Sequence, residues 1–521
     1  MLNNIKTAGK RYSNLAMSRQ CFLNRAWDGA EVTIPFLLPR DGVQNQELPT
    51  PFQAIGARGL NNLAAKLLLT LFPPSSPFIK FQIDDFTLAE LEAERAPVEE
   101  GLNSMERAVN DEVEAKAMRV PIHELLRHLI LSGNAVLFVN PDNKLRVFHL
   151  DQYCVRRDPQ GEVLEIIIKE EISRELFEDI FDRPPPQEAQ TANSDTSDKP
   201  LELYTVVRRK KDRVLIHQEV QGIKIPGTDS DVPHEKSPYL ALRFIRIDGE
   251  DYGRGFVEEY LGDLRALEGL SKAILEGSAA AARAIFLVRP NGTTKPKTIS
   301  QAPNLAVRQG NADDVSVLQL DKFNDFRVAR ETIDTTERRL AAAFLLNQSV
   351  QRDAERVTAE EIRFLANELE TTLGGIYSLL SHELQLPLAK RIIASLEKQK
   401  KLPALPKGTV EPVIVTGFEA LGRGSDAQKL LSAFQAVSSI FGPEAVIAST
   451  NIPDAIKRVF TGFGIDQKGL IKTPEQLQQE QEQQQQAQQQ QQQAEMVKAA
   501  IPNAVTQGGD MIKQGAQQQN G

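Results

Sequence analysis

Residues 257–287 read VEEYLGDLRALEGLSKAILEGSAAAARAIFL, and residues 325–346 read DFRVARETIDTTERRLAAAFLL. In the first stretch Val257, Leu261, Leu264, Leu267 and Ile274 recur at helical intervals, which predicts one helix over 257–287. Its second half, EGSAAAARA, is rich in small side chains, which let neighbouring helices approach closely; packing against copies of the same chain and ordinary core packing both use that pattern. The second stretch predicts another helix. Between them, residues 289–321 (RPNGTTKPKTISQAPNLAVRQGNADDVSVLQLD) are dense in turn formers and predict a short α/β excursion. Two helices flanking a small insertion are therefore the element from which the rest of the chain is organised.

Downstream, NQSVQRDAERV (347–357) leads to Thr358, with Glu361 three residues on, a capping box that opens a helix. Ile362, Leu365, Leu369, Leu373, Ile376, Leu379 and Leu380 continue it, and a helix over 359–386 would span roughly 42 Å. Gly374 and Gly375 predict a kink and Pro387 a second break. VEPVIVTG (410–417) predicts a strand, and a helix over 425–440 follows with Ser425 as its N-cap. The glutamine-rich run over 474–494 has no apolar stripe and predicts a frayed helix or disorder, as do residues 500–521.

Upstream, the chain is richer in strands. A helix is expected over 11–27, a strand in EVTIPFLLPRDG (31–42), a helix from Ala54 to Phe72 stopped by Pro73, Pro74 and Pro77, and a strand in FIKFQI (78–83). Two helices over 87–132 should divide near Pro121. NAVLFVNPDNKLRVFHL (134–150) predicts a hairpin, and strands are expected over 162–173, 201–212 and 213–225, with KSPYLALRFIRIDGEDYGRGF (236–256) closing the β-rich part. RPPPQEAQTANSDTSDKP (183–200) is polar and proline-rich and predicts a linker. The fold class is α+β.

Composition narrows the function. At 521 residues the chain exceeds what one core usually serves, so two or more sub-structures are expected. The N-terminal residues have no apolar run of signal-peptide length, and the two most apolar stretches (63–72 and 125–139) are too short to span a membrane, so no membrane role is expected. Cys21 and Cys154 lie far apart with no CxxC pair, which fits a buried free thiol at each position in a reducing cytoplasm. The net charge of −9 argues against a protein that grips nucleic acid statically, because phosphate neutralisation dominates such affinity; a wall with few phosphate contacts, along which DNA slides, is compatible with it.

No enzymatic motif is legible, and neither cofactor nor metal is expected. The chain has no G-x-x-x-x-G-K-[ST] and no G-x-S-x-G, and GRGF (253–256) and GRG (422–424) read as turns. In HELLRH the two histidines, His123 and His128, fall roughly 140° apart on a helix and cannot ligate one ion from one face. Carboxylate doublets such as Asp84–Asp85 and Glu258–Glu259 read as solvated charges. The basic run RRKKD (208–212) reads as a hairpin turn of solvated charges, with a patch for nucleic acid or an acidic partner as the alternative.

The stretch YGRGFVEEYLGDLRALEGLSKAILEGSAAAARAIFLVRPN (252–291) resembles the portal, or head-to-tail connector, proteins of short-tailed bacteriophages (podoviruses). The resemblance continues from Val315 to Leu388, is weaker in VEPVIVTGFEALGRGSD (410–426), and includes RAWDGAEVTIPFLLPRDG (25–42) and IGARGLNNLAAKLLLTLFPPSSPFIKF (55–81). It implies a ring, normally of twelve copies, at one capsid vertex in the virion, at the head–tail junction, assembled in the host cytoplasm. Through that ring double-stranded viral DNA enters and later leaves. It implies docking of terminase and then tail adaptor proteins, and contacts with major capsid, scaffolding and internal core proteins.

In the family's terms, residues 1–256 would be the N-terminal part of a β-rich wing. Residues 257–288 and 323–346 would be stem helices flanking a clip at 289–322. Residues 358–424 would return to the wing as a long kinked helix and strand, 425–472 would form a helical crown, and 473–521 a Gln-rich, disordered tail. Residues 347–357 fall where the family places its channel loop, which would present Asn347, Gln348, Gln351, Arg352 and Arg356 to DNA; intersubunit salt bridges are the other use of the two arginines. Charges on the stem helices (Glu258, Glu259, Asp263, Arg265, Arg327, Arg330, Glu331, Glu337, Arg338, Arg339) would register neighbours, or simply face solvent. The competing readings are a DNA-packaging enzyme and a non-portal internal capsid protein; nucleotide hydrolysis would mark the first, and failure to form a ring the second.

Overall fold

The computed structural model describes residues 7–40, 48–74, 77–82, 95–186, 200–281, 285–303, 306–318, 323–346, 359–402, 413–416 and 424–442, with a few isolated positions beyond. They form a mixture of helices and sheets in which every described strand pairing is antiparallel. Contacts divide the chain into one unit over 1–422 and a second over 423–521.

The main core forms around two helices whose apolar residues repeat every three or four positions. In α1 (Ala8–Glu31) the buried side is Leu23, Ala26 and Ala30; in α2 (Ile55–Leu71) it is Leu60, Leu63, Ala64, Leu67 and Leu71. Strand β1 (Ile79–Gln82) and α3 (Arg95–Ala115) follow, and then α4 (Arg119–Ser132), buried along Ile122, Leu125, Leu126, Leu129 and Ile130. Helix α4 ends at Gly133, whose φ of 74° is left-handed and where a Cβ would stand 2.2 Å from the Arg254 carbonyl carbon. Only glycine fits, and the chain turns directly into β2 (Asn134–Val139), which pairs with β3 (Leu145–His149) and β10 (Tyr239–Arg243).

The larger sheet runs β4 (Tyr153–Arg157), β5 (Val163–Ile172), β6 (Leu201–Lys210), β7 (Arg213–Val220) and β8 (Ile223–Lys224), with β9 (Ser230–Pro233) also on β7. Period-two alternation sorts its side chains: Ile166 and Ile168 face the main core, whereas Ile167, Cys154 and Val206 face a second cluster closed by Ala8 and Tyr12 of α1. Between β5 and β6, α5 (Arg174–Phe181) is capped by the Ser173 side chain. After β10 come α6 (Phe256–Glu259), α7 (Leu261–Ala281), β11 (Ile285–Val288), α8 (Pro296–Ser300), β12 (Val315–Leu318) and α9 (Phe323–Ala343). The first unit closes with α10 (Ala359–Leu373), α11 (Ile376–Leu380), a π-wound turn at Ser381–Gln385, α12 (Leu386–Lys398) and β13 (Val413–Thr416), which pairs with β1. In the second unit, α13 spans Gly424–Phe441.

Several expectations need correcting. EVTIPFLLPR is no strand: α1 runs on to Glu31, and Pro35–Leu37 forms a 3-10 turn. Pro35 and Pro39 lack the N–H groups a ladder requires, and Val32, Ile34, Leu37 and Leu38 are buried without one. The helix expected over 257–287 breaks at Tyr260 and ends at Ala281; Ile285–Val288 instead pairs with Val315–Leu318, so the insertion's sheet begins before residue 289. The division between α3 and α4 falls at Lys116–Met118, where Ala117 has φ 49°, and Pro121 sits in the first turn of α4, where a missing donor costs nothing. The kink at Gly374 and Gly375 is present, both with positive φ. Pro387 makes no break: it lies in the first turn of α12, and the wide turn at 381–385 precedes it. Helix α13 already includes Ser425, and of the two thiols only Cys154 is buried, Cys21 being exposed on α1. The linker is described only to residue 186, and the glutamine-rich tail lies outside the described residues.

Candidate functional site

The two ends of the α7–α9 hairpin are built differently. At its tip, β11 and β12 pair over Ile285–Val288 and Val315–Leu318, and Asp314 ties the turns together. The Asp314 carboxylate accepts from the Thr294 N–H (3.2 Å) and the Thr293 hydroxyl (3.1 Å). Those bonds, the Thr294 N–H first, hold its pKa below the usual aspartate value. The Thr294 hydroxyl in turn accepts from the Asn311 N–H at 2.9 Å. Gly292 leaves room for this knot, since a Cβ there would stand 2.5 Å from the Asp314 carboxyl carbon.

At its base the hairpin is clamped. Phe344 is fully buried, with the Phe256 ring edge-on at 5.4 Å and the Tyr260 ring at 5.8 Å. Gly59 of α2 lies directly beneath, where a Cβ would stand 2.6 Å from Phe344 Cγ. The carbonyls that α9 leaves unbonded at its C-terminus find partners on α2: Asn62 Nδ2 donates to Phe344 O (3.0 Å) and Leu345 O (3.1 Å), and Lys66 Nζ donates to Leu345 O (2.9 Å). Burial lowers the Lys66 pKa, and Glu368 opposes that shift. Leu345 itself turns with φ 55°, so the direction in which the chain leaves α9 is fixed by α2.

Ion pairs brace the same base. Arg254 bridges Glu250 (2.6 Å) and Glu258 (2.9 Å), Arg25 reaches Glu258, Arg265 meets Asp28 at 2.8 Å, and Arg339 meets Asp263 at 3.0 Å across the hairpin. The Glu268 carboxylate accepts from the backbone N–H groups of Phe52 and Gln53. Of the charges expected to register neighbours, Glu258, Asp263, Arg265 and Arg339 thus have partners inside the chain, while Glu259, Arg327, Arg330, Glu331, Glu337 and Arg338 are exposed. On the helices of the hairpin, Leu275 (54% exposed) and Val328 (61%) also face outward. Further along, Gly277 lets α7 approach Phe326 of α9, where a Cβ would be 2.7 Å from the ring.

Asn347, Gln348, Gln351, Arg352 and Arg356 lie outside the described residues, which stop at Leu346 and resume at Ala359. The RRKKD run forms the β6–β7 hairpin; Arg209 pairs with Glu162 (2.7 Å), and Arg208 stands 3.6 Å from Glu165. His128 is buried with its ring 5.9 Å from His149, while His123 is half-buried. The glycines of GRGF serve close packing: a Cβ at Gly255 would stand 2.3 Å from Leu131 O. The α2 residues Gly59, Asn62 and Lys66 were not legible as positioning groups, because their partners lie some 280 positions away and no local pattern marks such a pair.

The described residues thus form a helical hairpin braced at its base and knotted at its tip, with exposed charges on both helices. The chain belongs to the family of bacteriophage head to tail connecting proteins, which matches residues 5–471. It is 40% identical over 481 residues to the portal protein of Escherichia phage T7, covering 90% of this chain and 89% of that one. Against the portal protein of Enterobacteria phage T3 the identity is 40% over 482 residues (90% and 88%), and against that of Enterobacteria phage SP6 it is 30% over 503 residues (96% of each).

Proposed function

We propose that this chain is a portal subunit at the head–tail junction of a short-tailed phage virion, forming the ring through which double-stranded DNA is packaged and ejected. The supporting observation is the 40% identity, over nine-tenths of the chain, to proteins of that name. The ring acts as a conduit and carries out no chemistry of its own. In this reading α7 and α9 are the stem and the β11–β12 tip with α8 is the clip, which meets terminase during packaging and tail adaptors afterwards. The sheets and α10–α12 make the wing, residues 425–472 the crown, and residues 473–521 the tail of the chain. The α7–α9 faces carrying Leu275, Val328 and the exposed charges would be covered by neighbouring subunits, which buries apolar surface that the single chain leaves in water.

Residues 347–357 would line the channel, with Asn347, Gln348, Gln351, Arg352 and Arg356 touching passing phosphates and Asp353 and Glu355 limiting retention. The α2 clamp on Leu345 would set where that loop emerges. Electron microscopy of the purified protein, with native mass spectrometry of the same sample, tests the reading. Closed rings with a central hole are expected; a monomer that persists across salt and concentration counts against it.

A further inference from the structure

A cavity of about 340 Å³ opens between the β5–β7 sheet, strand β10, and the helical wall formed by the π-wound turn and the start of α12. Four arginines line it, of which Arg209 is paired with Glu162. Arg157 is fully engaged: its guanidinium donates to the carbonyls of Gly161 (2.9 Å), Ala241 (2.9 Å) and Asp251 (3.0 Å). Arg243 and Arg246 converge on Gly161, where a Cβ would stand 3.1 Å from one Nη2 and 2.9 Å from the other. Arg246 is exposed at the rim and spends one N–H on Gln160 O.

Arg243 is different: it is 2% exposed, its Nε has no partner, and its Nη2 makes only long approaches, 3.4 Å to Gly161 O and 3.7 Å to Glu383. Glu383 Oε2 is likewise without a partner. The other carboxylates of the cavity are paired with other cations of its wall, Glu162 with Arg209 and Glu235 with Lys390.

A buried guanidinium with an unused donor, a second one beside it and a single loosely held carboxylate, Glu383 at 3.7 Å, make a site for an anion. Burial, and then the charge of Arg243, push the Arg157 pKa down to about 10, as expected where cations crowd. The planar fork of guanidinium donors matches phosphate oxygens, and the cavity has the size of a small-ligand site, far too narrow for a duplex. We propose that this cavity binds a small phosphate-bearing anion, with the phosphate held between Arg243 and Arg246 and Glu383 competing for the same guanidinium. The ligand is either free inorganic phosphate or the phosphate of a nucleotide.

The test is titration calorimetry of the full-length protein with inorganic phosphate and, separately, with adenosine monophosphate, in a chloride buffer. Arg243 is too deeply packed to replace safely, so the variants are Arg246→Gln, at the rim, and Glu383→Gln. Saturable binding is expected, weakened about tenfold by R246Q and tightened several-fold by E383Q. Tighter binding of the nucleotide identifies it as the source, and equal or better binding of phosphate alone identifies the free ion. The proposal is overturned by no saturable binding of either up to about 10 mM. Binding that R246Q leaves unchanged, or that E383Q weakens, overturns it equally.

Discussion

Adding a single methyl group at Gly59 tests the clamp at the base of the hairpin. In an open helix, Gly→Ala stabilises by about 1 kcal/mol, because alanine has less backbone freedom to lose. At Gly59 the new Cβ would stand 2.6 Å from Cγ and 2.9 Å from Cβ of Phe344, the stiff inner part of that side chain. Phe344 cannot retreat, being walled by Phe256 and Tyr260, so the overpacking should cost about 2–3 kcal/mol. The net effect of Gly59→Ala is then a loss of about 1–2 kcal/mol at this joint. Gly269→Ala in α7, with nothing within 4 Å, should instead give the ordinary gain of about 1 kcal/mol. Amide hydrogen exchange over Leu340–Leu346 reads the joint directly, and Gly59→Ala should accelerate it by about five- to thirtyfold. Phe344→Leu placed on the Gly59→Ala background should recover part of the protection. If Gly59→Ala protects these amides as well as wild type, or stabilises as Gly269→Ala does, the contact does not hold the hairpin as described.

Other perturbations have equally definite outcomes. Asn62→Ala and Lys66→Met each remove donors from the last carbonyls of α9 and should cost about 1 kcal/mol apiece, seen as faster exchange at Phe344–Leu346 with little change at the hairpin tip. Burial, and then His149, lower the His128 pKa to about 3 from an ordinary 6.5. Above pH 6.5 both folded and unfolded chains are neutral at this position, and below it the unfolded chain takes up the proton first. Stability should therefore fall with pH, by about 2–3 kcal/mol from His128 alone near pH 4.5, and urea titrations of His128→Leu should show a shallower slope. Asp314→Ala should open the hairpin tip to limited proteolysis over residues 289–315 without exposing Phe344. On the proposed channel reading, Arg352→Glu or Arg356→Glu should form rings yet retain packaged DNA poorly, and particles that hold DNA normally would end the assignment of that loop.

The parts of the fold legible in the sequence are those where one local period does the sorting. Helices α2 and α4 follow from leucines at helical spacing, and β5–β6–β7 follow from short runs rich in isoleucine and valine with turn residues between. Local pattern misleads where an apolar run is buried without a ladder, as at Val32–Leu38, or where a helix-like alanine run passes into a strand whose partner lies 30 residues on, as at Ile285–Val288. A wide turn such as Ser381–Gln385 has no residue signature at all. The hairpin itself was legible, but the groups that aim it were not. Asn62, Lys66 and Asp28 look like ordinary polar positions until the fold brings them to the carbonyls of α9 and to Arg265.

Those braces also impose an order in time. The α2 residues that hold the end of α9 (Gly59, Asn62 and Lys66) leave the ribosome early, and their partners Phe344 and Leu345 emerge some 280 residues later. Contacts so distant in sequence close late and slowly. Until they close, α9 lacks the α2 partners that fix its end, although α7 is already tied to Asp28 and Phe52. On the proposed ring reading, the long sequence separation would act as a delay, holding back the joining of nascent chains until each is nearly complete.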